Sequence, residues 1–120
     1  MTLDEFFAGR EEARALFEVL RAEVAALGDV EVRVSKSQVA FWHDHNVAVV
    51  WTPDRYHKGT APLVLTVSLR RRDPSPRWKE VVPVSGGRYT HHLELRSAEE
   101  IDDDVRGWLA EAWAIAEGVR

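Results

Sequence analysis

A two-layer α+β domain is the fold this sequence predicts: an antiparallel five-stranded sheet connected as a meander, with two N-terminal helices and one long C-terminal helix packed on one face. Three observations carry the prediction. Apolar residues recur at three- and four-residue spacing over residues 13–27 and 101–116, the repeat of a helix with one buried stripe. Residues 30–34, 63–69 and 89–95 instead alternate, the period of a strand with one buried face. Short turn-forming stretches separate the middle segments, so helices bracket a run of strands, which is the α+β order.

The elements follow in turn. Thr2 and Glu5 have the spacing of a capping box and open a short helix that ends near Gly9. The longer helix carries Ala13, Leu16, Phe17, Leu20, Val24 and Leu27 on one stripe and stops at Gly28. In the first strand Val30, Val32 and Val34 alternate with Glu31 and Arg33. After Ser35-Lys36-Ser37, the runs Val39-Ala40-Phe41-Trp42 and Val47-Ala48-Val49-Val50-Trp51 form a hairpin around His43-Asp44-His45-Asn46. Neither alternates cleanly, as expected of strands covered to some degree on both faces. Residues 53–62 are a loop, and Leu63, Leu65, Val67 and Leu69 define the fourth strand. Residues 70–88, with three prolines and Gly86-Gly87, make a long connection with room for one helical turn around Trp78. Residues 89–95 are the fifth strand. Ser97 and Glu100 form a second capping box, and Asp102, Asp103 and Asp104 fall in the first turns of the last helix, where the dipole favours them. Ile101, Val105, Trp108, Leu109, Ala112, Trp113 and Ala116 supply its broad apolar face.

The 120 residues suit one domain over positions 1–120, and a hydrophobic fraction of 45% against 30% charged residues is ordinary for a folded chain. The lack of cysteine removes disulfides and thiolate chemistry. An acidic N-terminus without an apolar segment is no signal peptide, and no apolar run approaches bilayer length, so the expectation is a soluble cytoplasmic protein without membrane contact. A net charge of −4 disfavours wholesale nucleic-acid binding while permitting a local basic patch.

Four stretches together, Ser35-Lys36-Ser37-Gln38-Val39-Ala40-Phe41, Arg77-Trp78-Lys79-Glu80-Val81, His91-His92-Leu93-Glu94-Leu95, and Asp102-Asp103 leading to Trp108-Leu109 and Ala112-Trp113, resemble the DUF5655 family, an uncharacterised bacterial domain of unknown function. The resemblance covers essentially the whole chain. It implies the fold and no reaction, because the family has no assigned activity. Relatives occur joined to other domains, nuclease-like ones among them, which implies an accessory role for some members.

A meander places successive connections at alternate ends of the sheet. One end collects His43, His45, Arg70, Arg71, Arg72, Arg77, Lys79, Arg88 and the nearby His91; the other collects Lys36, Arg55, Tyr56, His57 and Lys58. A six-residue strand is about 20 Å long, so Lys36 and His91 cannot share one small site. The binding candidates are therefore Arg70, Arg72, Arg77, Trp78, Lys79, Arg88, His91 and His92, with Lys36, Tyr56 and His57 secondary. Converging guanidiniums can hold phosphate or carboxylate. The plainer reading is a solvated loop whose charges pair with Asp73, Glu80 and Asp44.

Each remaining candidate also has two readings. His43 and His45 could chelate, but no third ligand stands at a metal-motif spacing, and a polar hairpin turn accounts for them. His91 shares parity with Leu93 and Leu95 and should be buried, either as a hydrogen-bonded core residue or as a general base; His92 shares parity with Glu94 and should be more exposed. Trp78 could stack on a base or pin its loop to the sheet. No nucleophile motif, phosphate loop or cofactor signature is present. The expected function is a non-enzymatic module with an anion-binding rim for a small anionic ligand or a protein partner. The alternatives are a nucleic-acid-associated accessory domain or a small enzyme using His91 or His92.

Overall fold

The computed structural model describes residues 1–53 and 60–118. Among them, three α-helices, α1 (Leu3–Phe6), α2 (Glu11–Ala25) and α3 (Asp103–Ala116), accompany six strands: β1 (Glu31–Val34), β2 (Val39–His43), β3 (His45–Trp51), β4 (Leu63–Leu69), β5 (Glu80–Val84) and β6 (Arg88–Leu95). The strands form one open sheet in the order β1-β2-β3-β4-β6-β5, with every neighbouring pair antiparallel. The fold is α+β, with one sixth strand more than the pattern predicts.

The extra strand is β5, which lies within the connection expected to hold a helical turn. Pro83 masks it in the sequence, because proline cannot donate to a ladder and is tolerated in a sheet mainly at an edge. β5 is such an edge: it pairs only with β6, and Pro83 sits opposite Tyr89. The meander therefore holds from β1 to β4 and then breaks. Residues 70–79 cross from the end of β4 over β6 to the outer edge, and the chain returns through Gly86 and Gly87, both at positive φ, to insert β6 between β4 and β5.

Two other boundaries move. Asp44 alone, at φ 61°, turns the β2–β3 hairpin, so His43 and His45 are cross-strand partners and not loop residues. Val47 is the extra residue of a bulge, since Phe41 pairs with Ala48 and Trp42 with Asn46. The Ser97–Glu100 capping box closes only a 3-10 turn over Ala98–Glu100; the chain then leaves helical geometry at Ile101, and Asp102 caps α3 by accepting from the Val105 N–H.

Parity puts Leu63, Leu65, Val67 and Leu69 of β4 toward the helices, each fully buried, with Leu93 and Leu95 beside them. Against this face α2 contributes Phe17, Leu20 and Val24, and α3 contributes Val105, Trp108, Leu109, Ala112, Trp113 and Ala116. Phe17 stacks on Phe41, and Trp78 packs on Trp108 at 4.1 Å between ring centroids. Trp108 is 7% exposed, as a tryptophan on the predicted stripe should be. No helix among the described residues is long and apolar enough to cross a membrane.

Candidate functional site

The crossing segment is held by a hub beneath it. His91, fully buried on the helix-facing side of β6, donates from Nδ1 to the Tyr89 carbonyl at 2.9 Å and accepts at Nε2 from the Asp73 backbone N–H at 3.0 Å. Both nitrogens are thereby engaged in one neutral tautomer. Burial dominates and holds the imidazole below its ordinary pKa. The Asp73 carboxylate accepts from the Trp78 indole at 2.9 Å and the Ser75 N–H at 3.1 Å, and pairs with Arg71 at 2.8 Å. Burial pushes this carboxyl up, but those donors outweigh it and leave the group below the usual carboxylate range. Trp78, 8% exposed, is the pin of the loop, with its ring against His91 and Trp108.

The same segment disperses the expected cluster. Arg77 is drawn to the start of α3, where it donates to Asp102 at 2.8 Å and to the Glu100 carbonyl at 2.8 Å. Lys79 pairs with Glu94 at 3.5 Å, and Arg71 is shared between Asp73 and Glu111. Arg72 is exposed and lines no described cavity. The sequence could have pointed to this only through the surplus of carboxylates at residues 99–104, of which Asp102 and Asp104 meet Arg77 once the chain has folded.

Two of the predicted arginines do come together. Leu69 pairs with Tyr89 at the end of the β4–β6 ladder; Arg70 follows β4 directly, and Arg88 is the first residue of β6. They line a cleft of about 290 Å³ between the strand ends and the last turns of α3. The hairpin supplies Trp42, His45 and Asn46 to one wall; Leu69, Ala112, Ile115 and Ala116 form the apolar floor. No carboxylate of the described residues lines it. The side chains of Arg70, Arg88 and His45 make no ion pair or hydrogen bond among the described residues.

The walls of the cleft are tied by His43. Its ring stacks on Trp113 at 3.9 Å, Nδ1 meets the Asp29 carbonyl at 2.8 Å, and Nε2 meets the Glu117 carboxylate at 3.0 Å. The Glu117 hydrogen bond raises the imidazole pKa, helped by the Asp29 carbonyl and by the charges of Asp44 and Glu117. With His43 committed here and His45 turned to the cleft, the pair does not converge. Among the described residues no three or more His, Asp or Glu side chains are grouped to hold a metal ion.

His92 lies on the sheet face opposite the helices. The Trp51 indole donates to Thr66 Oγ1 at 2.9 Å, and Thr66 lies 2.8 Å from His92 Nδ1. Lys36 is exposed in the β1–β2 turn at the far end of the sheet, and Tyr56 and His57 lie outside the described residues. A larger cavity, about 410 Å³, opens at that far end beside the start of α2, but Glu11 and Glu12 line it with Arg10 and Arg96. The smaller cleft, by contrast, is lined by cations without carboxylates among the described residues.

Comparison with known proteins matches the family model DUF5655, a domain of unknown function, to residues 3–116. No curated protein matches the chain, and no solved structure does.

Proposed function

The chain belongs to the DUF5655 family, and from that membership and the geometry above we propose that it is a non-enzymatic module binding small anions in the cleft of Arg70 and Arg88. One observation carries the reading: two guanidiniums with no ion pair or hydrogen bond among the described residues line a cleft with His45, and no described carboxylate lines it. Each presents a planar fork of donors suited to phosphate or carboxylate oxygens. His91 supports no acid–base role, since neither ring nitrogen is free. A nucleic-acid surface built on Arg77, Trp78 and Lys79 is likewise unsupported, because the indole is buried and both cations are paired.

The test is an NMR titration with inorganic phosphate at low ionic strength, following the Arg70 and Arg88 Nε–H signals and the His45 ring. Saturable shifts at all three are expected. Arg88→Gln should weaken binding about tenfold or more, since a charge-assisted hydrogen bond contributes on the order of 1.5–3 kcal/mol. Added salt should weaken it further, because both guanidiniums are exposed. Shifts that never saturate, or that Arg88→Gln leaves intact, would sink the reading.

A further inference from the structure

We infer that the anion this cleft takes is a small-molecule phosphate monoester carried on a compact apolar group, an aryl or short-alkyl phosphate. The inference rests on the anion-binding reading and narrows it. Charge comes first. Arg70 and Arg88 line one cleft, so a monoanionic carboxylate would neutralise only half of their charge. A phosphate monoester is largely a dianion near neutral pH, with three terminal oxygens to share between two forks.

The floor adds the second constraint. Ile115 and Trp42, both half-buried, give the cleft its accessible apolar surface, beside the buried Leu69, Ala112 and Ala116. Ala112 and Ala116 lie one turn apart on α3, and side chains ending at Cβ leave the space a larger residue would fill. Inorganic phosphate held at the arginines would leave Ile115 and Trp42 wet, whereas an apolar group attached to it would cover them and gain by leaving water. Size is the third constraint. About 290 Å³ gives room for one ring with its phosphate.

The experiment is calorimetric titration of the full chain with phenyl phosphate, inorganic phosphate, benzoate and phenol. Phenyl phosphate should bind about tenfold or more tighter than inorganic phosphate and than benzoate, the return expected from burying part of a ring. Phenol should not bind measurably. Ile115→Asn should lower the phenyl phosphate affinity to that of inorganic phosphate and leave the latter unchanged. In the unmodified protein the ring should shift the Leu69, Ala112 and Ile115 methyl signals, which tests the floor even if the variant fails to fold. Equal affinity for phenyl and inorganic phosphate overturns the inference while the anion site stands. Benzoate binding tighter than phenyl phosphate also overturns it, and a phosphotyrosine peptide binding tighter than phenyl phosphate overturns the small-molecule source. No binding of any anion removes the underlying reading as well.

Discussion

Replacing His91 separates the two ways a buried imidazole stabilises this fold. The ring is fully buried, fills space between Trp78 and β6, and gives the Asp73 N–H its acceptor. His91→Phe keeps most of the volume and removes only the hydrogen bonds, leaving a buried donor unpaired, which costs about 1–3 kcal/mol. His91→Ala loses the ring too, and the cavity left by an aromatic side chain raises the total to about 4–6 kcal/mol, comparable to the whole stability of a small domain. Urea unfolding should therefore give the order wild type, Phe, Ala, with midpoints falling at an unchanged m-value. The pH dependence supplies an independent check. Burial depresses the folded pKa of His91, so below the ordinary histidine value of about 6.5 the unfolded chain takes up a proton that the folded chain refuses. Stability is then full above that pH and declines as pH falls, and the Phe variant should lack this decline. A Phe variant as stable as wild type, or one with the same acid slope, would refute the reasoning.

Three further outcomes follow from the geometry. His43 titrates in the opposite sense: its folded pKa is raised, so its contribution is full below the ordinary value and fades as pH rises through the folded pKa. His43→Gln should flatten the stability profile on the alkaline side of about 6.5, read by thermal melts across pH. Gly28→Ala should cost about 1–3 kcal/mol, because a Cβ there would stand 2.8 Å from the Trp113 ring, which His43 holds in place from stacking distance. A melting temperature equal to wild type would contradict it. Arg77→Ala should cost about 1 kcal/mol by releasing the partly exposed Asp102 pair, yet leave phosphate affinity unchanged; a fall in affinity would place Arg77 in the cleft after all.

The sequence by itself determined what depends on local period and chemistry. The stripes of α2 and α3, the alternation of β4 and β6, and the Thr2 capping box are all readable, because helix and strand repeats place residues on a face whatever lies opposite. The same parity placed His91 inside and His92 on the other face of the sheet. Tertiary structure alone decided the rest. Pro83 hid β5 because a proline in a strand is acceptable only at an edge, and being an edge is a property of the assembled sheet. Insertion of β6 inside β5 carried residues 70–79 over the sheet, and this crossing, not the charge of its residues, parted Arg77 from Arg70. Arg70 and Arg88 came to line one cleft because the register of two strands distant in sequence sets the end of β4 beside the start of β6. Their apolar floor came from alanines on a helix later still, whose small size has meaning only against the strand ends they face. Local pattern can place a side chain on a face, but long-range pairing selects its companions, because contacts between distant segments exist only once the chain has closed around them.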